Sequence, residues 1–195
     1  MDHFEVFGLP RRFALDAGDL QRRFYDLSRV HHPDFHQHAS VEEQAQALEA
    51  SARLNAAYRA LRDPVGRIEY LVQLEEGGET KAGATVKVQT PPDLLAEMFE
   101  IQEALEEAKA GGVDDEGRAR LAEERDRLLA RSREEDERLR GPLATAWDGT
   151  KGTERAQILD RVKASLATRA YLRTVVDDLT AVLGEGQEHV AHHRH

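Results

Sequence analysis

Apolar residues that recur at helical spacing place the strongest constraint on how this chain folds. Four near the N-terminus follow one another at intervals of three or four residues: Leu20, Phe24, Leu27 and Val30. Such spacing puts side chains on one face of an α-helix. The segment from Asp16 to Asp19 offers start signals, and Pro33 ends the helix because the residue before a proline is pushed out of helical geometry. The pattern therefore predicts an amphipathic helix over residues 17–31, followed by a loop over 32–39.

The next two helices are marked by their caps. Ser40-Val41-Glu42-Glu43 is a capping box, with serine at the cap and glutamate three residues later, and it predicts a helix that runs to about Arg62. The expected apolar face of that helix comprises Leu48, Leu54, Ala57, Tyr58 and Leu61. Asp63-Pro64 stops it and starts another, because proline suits the first helical position.

Three more helices are predicted after a stretch with little periodicity. The first runs from Thr90 to about Ala110, the second over 116–140 with a break at Gly141-Pro142, and the third over 153–183. Helix-forming residues are abundant and β-branched residues sparse, so the expected fold class is all-α. The predicted organisation is a helical hairpin domain at 1–75, a linker at 76–89, an antiparallel three-helix bundle at 90–184 and a mobile tail at 185–195.

Composition excludes several functions. The net charge of −10 argues against a general nucleic-acid binder, since neutralising phosphates needs a basic stripe. The absence of cysteine excludes disulfides, thiolate nucleophiles and cysteine-held metal sites. No apolar run approaches the roughly 20 residues that span a bilayer. No pairing of nucleophile and base stands out, so neither an enzyme nor a bound cofactor is expected. The start of the chain matches no targeting peptide, which favours a cytoplasmic protein.

A His32-Pro33-Asp34 tripeptide lies in the loop after the first long helix. Three arginines are expected on the exposed face of that helix: Arg22, Arg23 and Arg29. A basic face on an acidic chain suits docking to an acidic surface. The basic amphipathic helix, the tripeptide and the capped helix after it together resemble a J-domain, by which co-chaperones stimulate an ATP-driven chaperone of the DnaK class. The residue after the tripeptide is Phe35, where many J-domains have lysine.

The resemblance narrows to the HscB family of iron–sulfur cluster assembly. It is carried by three segments: residues 1–10 (MDHFEVFGLP), 55–64 (NAAYRALRDP) and 67–71 (RIEYL). It implies a monomeric co-chaperone that brings an IscU-like scaffold to an HscA-like chaperone and stimulates the chaperone's ATPase. The tripeptide then triggers ATP hydrolysis by the chaperone, and we call it the trigger. The three arginines supply electrostatic docking to the chaperone. The absence of the cysteine motif of eukaryotic members favours a bacterial cytoplasmic protein.

The helix from Thr90 has two apolar stripes. Its expected core face comprises Leu94, Met98, Ile101, Leu105 and Ala108. Leu95 and Phe99 point away from that face, among carboxylates and without a basic residue between Asp93 and Glu107. Such a pair needs a partner or a neighbouring helix to cover it. The resemblance implies that it binds the scaffold, through Leu95, Ala96, Phe99, Glu100, Glu103 and Glu107, with Tyr171 on the last helix.

Nine histidines leave a metal site as an alternative. They crowd the tripeptide region and the last seven residues, but zinc sites need ligands at defined spacing with support around them, so no metal site is predicted. Two other functions stay open: a J-domain protein with a different client, and a helical protein that binds metal through histidines.

Overall fold

The computed structural model describes residues 1–77, 99–106 and 114–184. These residues form helices and no strand, which confirms the all-α prediction. The helices are α1 (His3–Val6), α2 (Ala17–His31), a 3₁₀ helix (Pro33–His36), α3 (Val41–Arg62), α4 (Pro64–Glu75), α5 (99–106), α6 (Asp115–Arg138), a π-helical turn (Leu139–Leu143), α7 (Ala144–Gly149) and α8 (Glu154–Leu183). No helix in these ranges is long and apolar enough to cross a membrane.

The described residues fall into two compact units. The first contains 1–77 together with 140–159, and the second contains 99–106, 114–139 and 160–184. The predicted ranges of the two domains, the linker and the mobile tail stay predictions. What the structure adds is that a segment from the second half of the chain packs with the N-terminal hairpin.

The hairpin of α2 and α3 forms as its caps and apolar spacing predict. Asp16 caps α2 by accepting a hydrogen bond from the Asp19 N–H, and the capping box at Ser40 is present. Leu20 is buried, and the rings of Phe24 and Tyr58 stack with their centroids 4.1 Å apart. This packing holds α2 against α3 and positions the 3₁₀ helix between them.

Two residues expected in the core of the hairpin are exposed instead. Val30 is 60% exposed and Leu48 is 62% exposed. Leu48 lies about 120° around the helix from Leu54, whereas Ala47 is almost in line with Leu54 and is buried. The predicted faces were therefore wrong at these two positions: the spacing of Leu48 from Leu54 is not a helical-face spacing, and Val30 lies about 80° around α2 from Leu20.

The segment 140–159 is joined to the N-terminal hairpin through Phe13 and the residue after it. The Phe13 ring stacks on Trp147 with centroids 5.0 Å apart, and the Asp148 carboxylate accepts the backbone N–H groups of Phe13 and Ala14 at 2.9 Å each. Arg155 lies over the Trp147 ring, with its guanidinium carbon 3.9 Å from the ring centroid. The loop before α2 is therefore held by Asp148, which is 135 positions from Phe13 and 134 from Ala14.

Buried Arg67 completes the attachment of that loop. Its guanidinium donates to the Phe13 carbonyl at 2.8 Å and to the Leu61 carbonyl at 2.7 Å. Burial lowers the pKa of Arg67 from its ordinary value, and the carboxylates of Asp63 and Asp148 partly offset that shift. The RIEYL segment that carried part of the family resemblance thus contributes its arginine to the core.

His3 gives the first unit a pH dependence. Its ring stacks on Tyr70 at a centroid distance of 4.5 Å, and burial lowers the pKa of His3. The folded protein therefore binds a proton at His3 less readily than the unfolded chain, so this contribution to stability is lost as pH falls from about 7 toward 5. We expect His3→Phe, which keeps an aromatic ring, to flatten the pH dependence of the free energy of unfolding in that range. Urea titrations at several pH values check this, and an unchanged slope would contradict it.

The second unit is built around an apolar cluster shared by α5, α6 and α8. Leucines at helical spacing on α6 and the apolar face of α8 are buried. The cluster comprises Ile101, Leu105, Leu121, Leu128, Leu172, Val175, Val176, Leu179 and Leu183. Polar side chains fix α6 to α8, through a hydrogen bond from Ser165 to Glu135 and an ion pair of Arg169 with Asp136.

The break predicted at Gly141-Pro142 takes the form of a change in helix type. After α6 ends at Arg138, the chain passes through the π-helical turn, with Pro142 inside it, and continues directly into α7. Proline clashes with the preceding turn of an α-helix, and a wider turn relieves that clash. The turn leads into the segment that carries Trp147.

Candidate functional site

The tripeptide is held in one compact turn at the end of α2. His32 caps the 3₁₀ helix, because its Nδ1 accepts the Asp34 backbone N–H at 3.3 Å, and Pro33 occupies the first turn of that helix. The Asp34 carboxylate lies 3.5 Å from the same Nδ1. A neutral imidazole that accepts at Nδ1 carries its proton on Nε2, so the free edge of the ring is a hydrogen-bond donor. His32 and Asp34 are both exposed and open to a partner.

The arginines predicted as one docking face have different environments. Arg22 and Arg23 both pair with Asp19, at 3.0 and 2.9 Å, and these hydrogen bonds, led by that from Arg23, lower the pKa of Asp19. Arg23 also donates to the Phe7 carbonyl at 3.0 Å. Arg23 is therefore a structural link between α2 and the turn after α1, and its role in docking stays a prediction.

An exposed face of α2 remains and includes an aromatic side chain that the sequence analysis did not select. Arg22, Tyr25 and Arg29 are exposed and lie one helical turn apart. Tyr25 is more than half exposed, and its position between two selected arginines was the available signal. We call Arg22, Tyr25, Arg29, His32 and Asp34 the N-terminal surface. It offers cationic groups, one aromatic ring and an oriented imidazole.

The α5 surface is the second candidate site. Phe99 is 72% exposed, whereas Ile101 and Leu105 on the opposite side of α5 are buried. The structure therefore confirms that Phe99 points away from the core. Glu100 and Glu103 are exposed beside it, and so is Glu106, which the sequence analysis did not select although it lies two turns from Phe99. We define the α5 surface as Phe99, Glu100, Glu103 and Glu106.

The remaining residues predicted to bind the scaffold are placed differently. Tyr171 is on α8 in the same unit and is partly buried, with its ring packed against the apolar cluster. Leu95, Ala96 and Glu107 lie outside the described residues. Of the predicted contacts Leu95, Ala96 and Phe99, the structure describes the exposure of Phe99.

The two surfaces carry exposed charged and aromatic side chains. Within the described ranges, no three histidine or carboxylate residues lie close enough together to hold a metal ion. In protein–protein contacts, charged groups steer the encounter of the two proteins and a buried aromatic ring anchors the complex.

Sequence comparison finds relatives that share one name. A co-chaperone protein HscB homolog from Vibrio atlanticus is 41% identical over 107 residues, which cover 55% of this chain and 61% of the relative. Another from Ralstonia nicotianae is 39% identical over 110 residues, or 56% of this chain and 61% of the relative. The alignments thus span about three fifths of these relatives. No protein-family model matches the chain.

Solved structures extend the likeness over most of the chain. Chaperone HscB from Vibrio cholerae aligns with a TM-score of 0.55 and 27% identity, and the alignment covers 92% of this chain and 99% of that one. Human co-chaperone HscB aligns with a TM-score of 0.63 over 93% of this chain and 81% of that one. At 22% identity, the human protein supports the fold alone.

Proposed function

We propose that this chain is a co-chaperone of the HscB family that delivers an IscU-like iron–sulfur scaffold to an HscA-like chaperone of the DnaK class and stimulates that chaperone's ATPase. The observation that supports this most directly is the His32–Asp34 turn, which presents an oriented imidazole beside an arginine-bearing helix face. The proposed outcome is the maturation of iron–sulfur proteins, with no covalent chemistry by this chain.

In this proposal the N-terminal surface acts on the chaperone. Arg22 and Arg29 steer the encounter with an acidic patch, and their effect falls with added salt. His32 donates from Nε2 into the contact, while its Nδ1 stays engaged by the Asp34 N–H. A binding protein accelerates hydrolysis only if it prefers the hydrolysis-competent state of the chaperone, so these contacts must be stronger in that state.

The α5 surface binds the scaffold in the same proposal. Phe99 offers an apolar ring that becomes buried on binding, and the three glutamates around it favour a scaffold surface with basic residues at its rim. The two surfaces lie on different units of one chain, so in this proposal one protein carries a contact for each partner. Delivery then means raising the effective concentration of scaffold near the chaperone.

Phe99→Ala is expected to weaken scaffold binding by about 1–3 kcal/mol, as for an aromatic anchor at an interface. The exposed ring makes little contribution to folding, so the free energy of unfolding should hardly change. Isothermal titration calorimetry with an IscU-like scaffold measures the effect.

The matched control for that variant is Leu48→Ala, which removes an equally exposed apolar side chain from the first unit. It should leave scaffold affinity unchanged. Equal affinities for wild type and Phe99→Ala would remove Phe99 from the contact. Failure of the wild-type protein to bind any IscU-like scaffold, with ATPase stimulation intact, would favour a J-domain protein with a different client.

A further inference from the structure

Phe35 is a large apolar residue exposed directly beside the trigger. It lies in the 3₁₀ helix and is 73% exposed. Its backbone N–H donates to the His32 carbonyl at 3.0 Å, which closes the turn. Its ring lies edge-on to the His32 ring, with centroids 6.1 Å apart and planes at 71°. The turn therefore displays the imidazole and the phenyl ring next to each other.

Local folding does not account for a phenylalanine at this position. The turn is closed by backbone groups and by the His32 side chain, so any residue with an N–H could occupy position 35. An exposed aromatic ring that contributes little to the core is a candidate for burial against a partner. The edge contact with His32 limits the freedom of both rings, which reduces the ordering cost of binding.

We propose that Phe35 is a specificity-determining contact residue for the chaperone, inserted into an apolar recess with an acidic rim. This inference rests on the proposed function. Two features carry it: Phe35 is continuous with the trigger in one 3₁₀ helix, and the cationic Arg22 and Arg29 on the neighbouring helix match an acidic rim. A chaperone partner that instead presents a carboxylate at this point would favour a lysine over Phe35.

The test is a titration of ATPase stimulation with variants of Phe35. We expect Phe35→Ala to raise the concentration for half-maximal stimulation about tenfold, as for an interface hot spot, with the maximal stimulation retained. Phe35→Leu should recover part of the affinity, and Phe35→Lys should not. The control Leu48→Ala removes a comparably exposed side chain away from the turn and should behave as wild type.

The dependence on salt concentration distinguishes the contribution of the aromatic contact from that of the charged contacts. The loss caused by Phe35→Ala should be the same at low and high ionic strength, whereas the loss caused by Arg29→Ala should shrink as salt is added. Amide hydrogen exchange at Asp34 should be unchanged in Phe35→Ala, which shows that the turn itself is intact.

Three results would overturn the inference. They are an unchanged half-maximal concentration in Phe35→Ala, full activity of Phe35→Lys, or faster amide exchange at Asp34, which would mean that Phe35 acts through the turn. Each result counts only when the wild-type protein, measured in parallel, stimulates the chaperone's ATPase. If wild type gives no stimulation, the proposed function fails instead, so the two failures are distinguishable.

Discussion

His32→Gln is expected to abolish stimulation of the chaperone's ATPase while scaffold binding stays at the wild-type level. Glutamine has no ring to hold an acceptor toward the Asp34 N–H and a donor toward the partner at the same time. Losing a contact that is made only in the hydrolysis-competent state slows ATP hydrolysis itself. Each loss of about 1.4 kcal/mol in that contact lowers the rate of hydrolysis about tenfold. Steady-state ATP hydrolysis by an HscA-like chaperone measures the effect.

The control for this variant is His38→Gln, which changes another exposed histidine just after the same turn. It should stimulate as wild type does. Scaffold titrations with both variants check that the α5 surface is intact. Stimulation by His32→Gln at the wild-type level would show that the imidazole is not the trigger. The stimulation would then be assigned to the arginines of α2.

Trp147→Ala is expected to destabilise the first unit by about 3–5 kcal/mol, the usual cost of emptying a buried aromatic site. Trp147 is almost completely buried, stacks on Phe13 and lies under Arg155. Removing it leaves a cavity beside the loop that Asp148 and Arg67 also hold. Urea unfolding followed by circular dichroism measures the change in the free energy of unfolding.

Hydrogen exchange locates that effect. In Trp147→Ala the amides of Phe13 and Ala14, which donate to Asp148, should exchange faster than in wild type. Trp147→Phe keeps an aromatic partner for the stack and should cost less, and Tyr25→Ala, at an exposed position, should cost almost nothing. A loss below about 1 kcal/mol in Trp147→Ala would contradict the inclusion of residues 140–159 in the first unit.

The local features of this fold could be predicted from the sequence because each depends on residues close together in the chain. The cap at Ser40, the helix start at Pro64 and the tripeptide turn all follow from short segments. The attachment of Trp147 to Phe13 could not be predicted in this way. The two residues are 134 positions apart, and nothing in their own neighbourhoods specifies the stack.

Hydrophobic periodicity predicted the exposure of some side chains correctly and of others wrongly. It identified Phe99 as exposed and Leu105 as buried within one short helix. It misplaced Val30 and Leu48, which are exposed and lie about 80° from Leu20 and about 120° from Leu54 around their helices. It could not separate Arg22 from Arg23 either, because the role of Arg23 depends on the Phe7 carbonyl, which the fold alone brings near.

The most direct test of the proposed function is a four-way ATPase assay. The rate of an HscA-like chaperone is measured alone, with an IscU-like scaffold, with this protein, and with both. If one chain carries a chaperone trigger and a scaffold contact, the rate with both exceeds either single addition, and Phe99→Ala reduces that excess without changing the effect of this protein alone. A rate with both that equals the rate with scaffold alone would contradict the account.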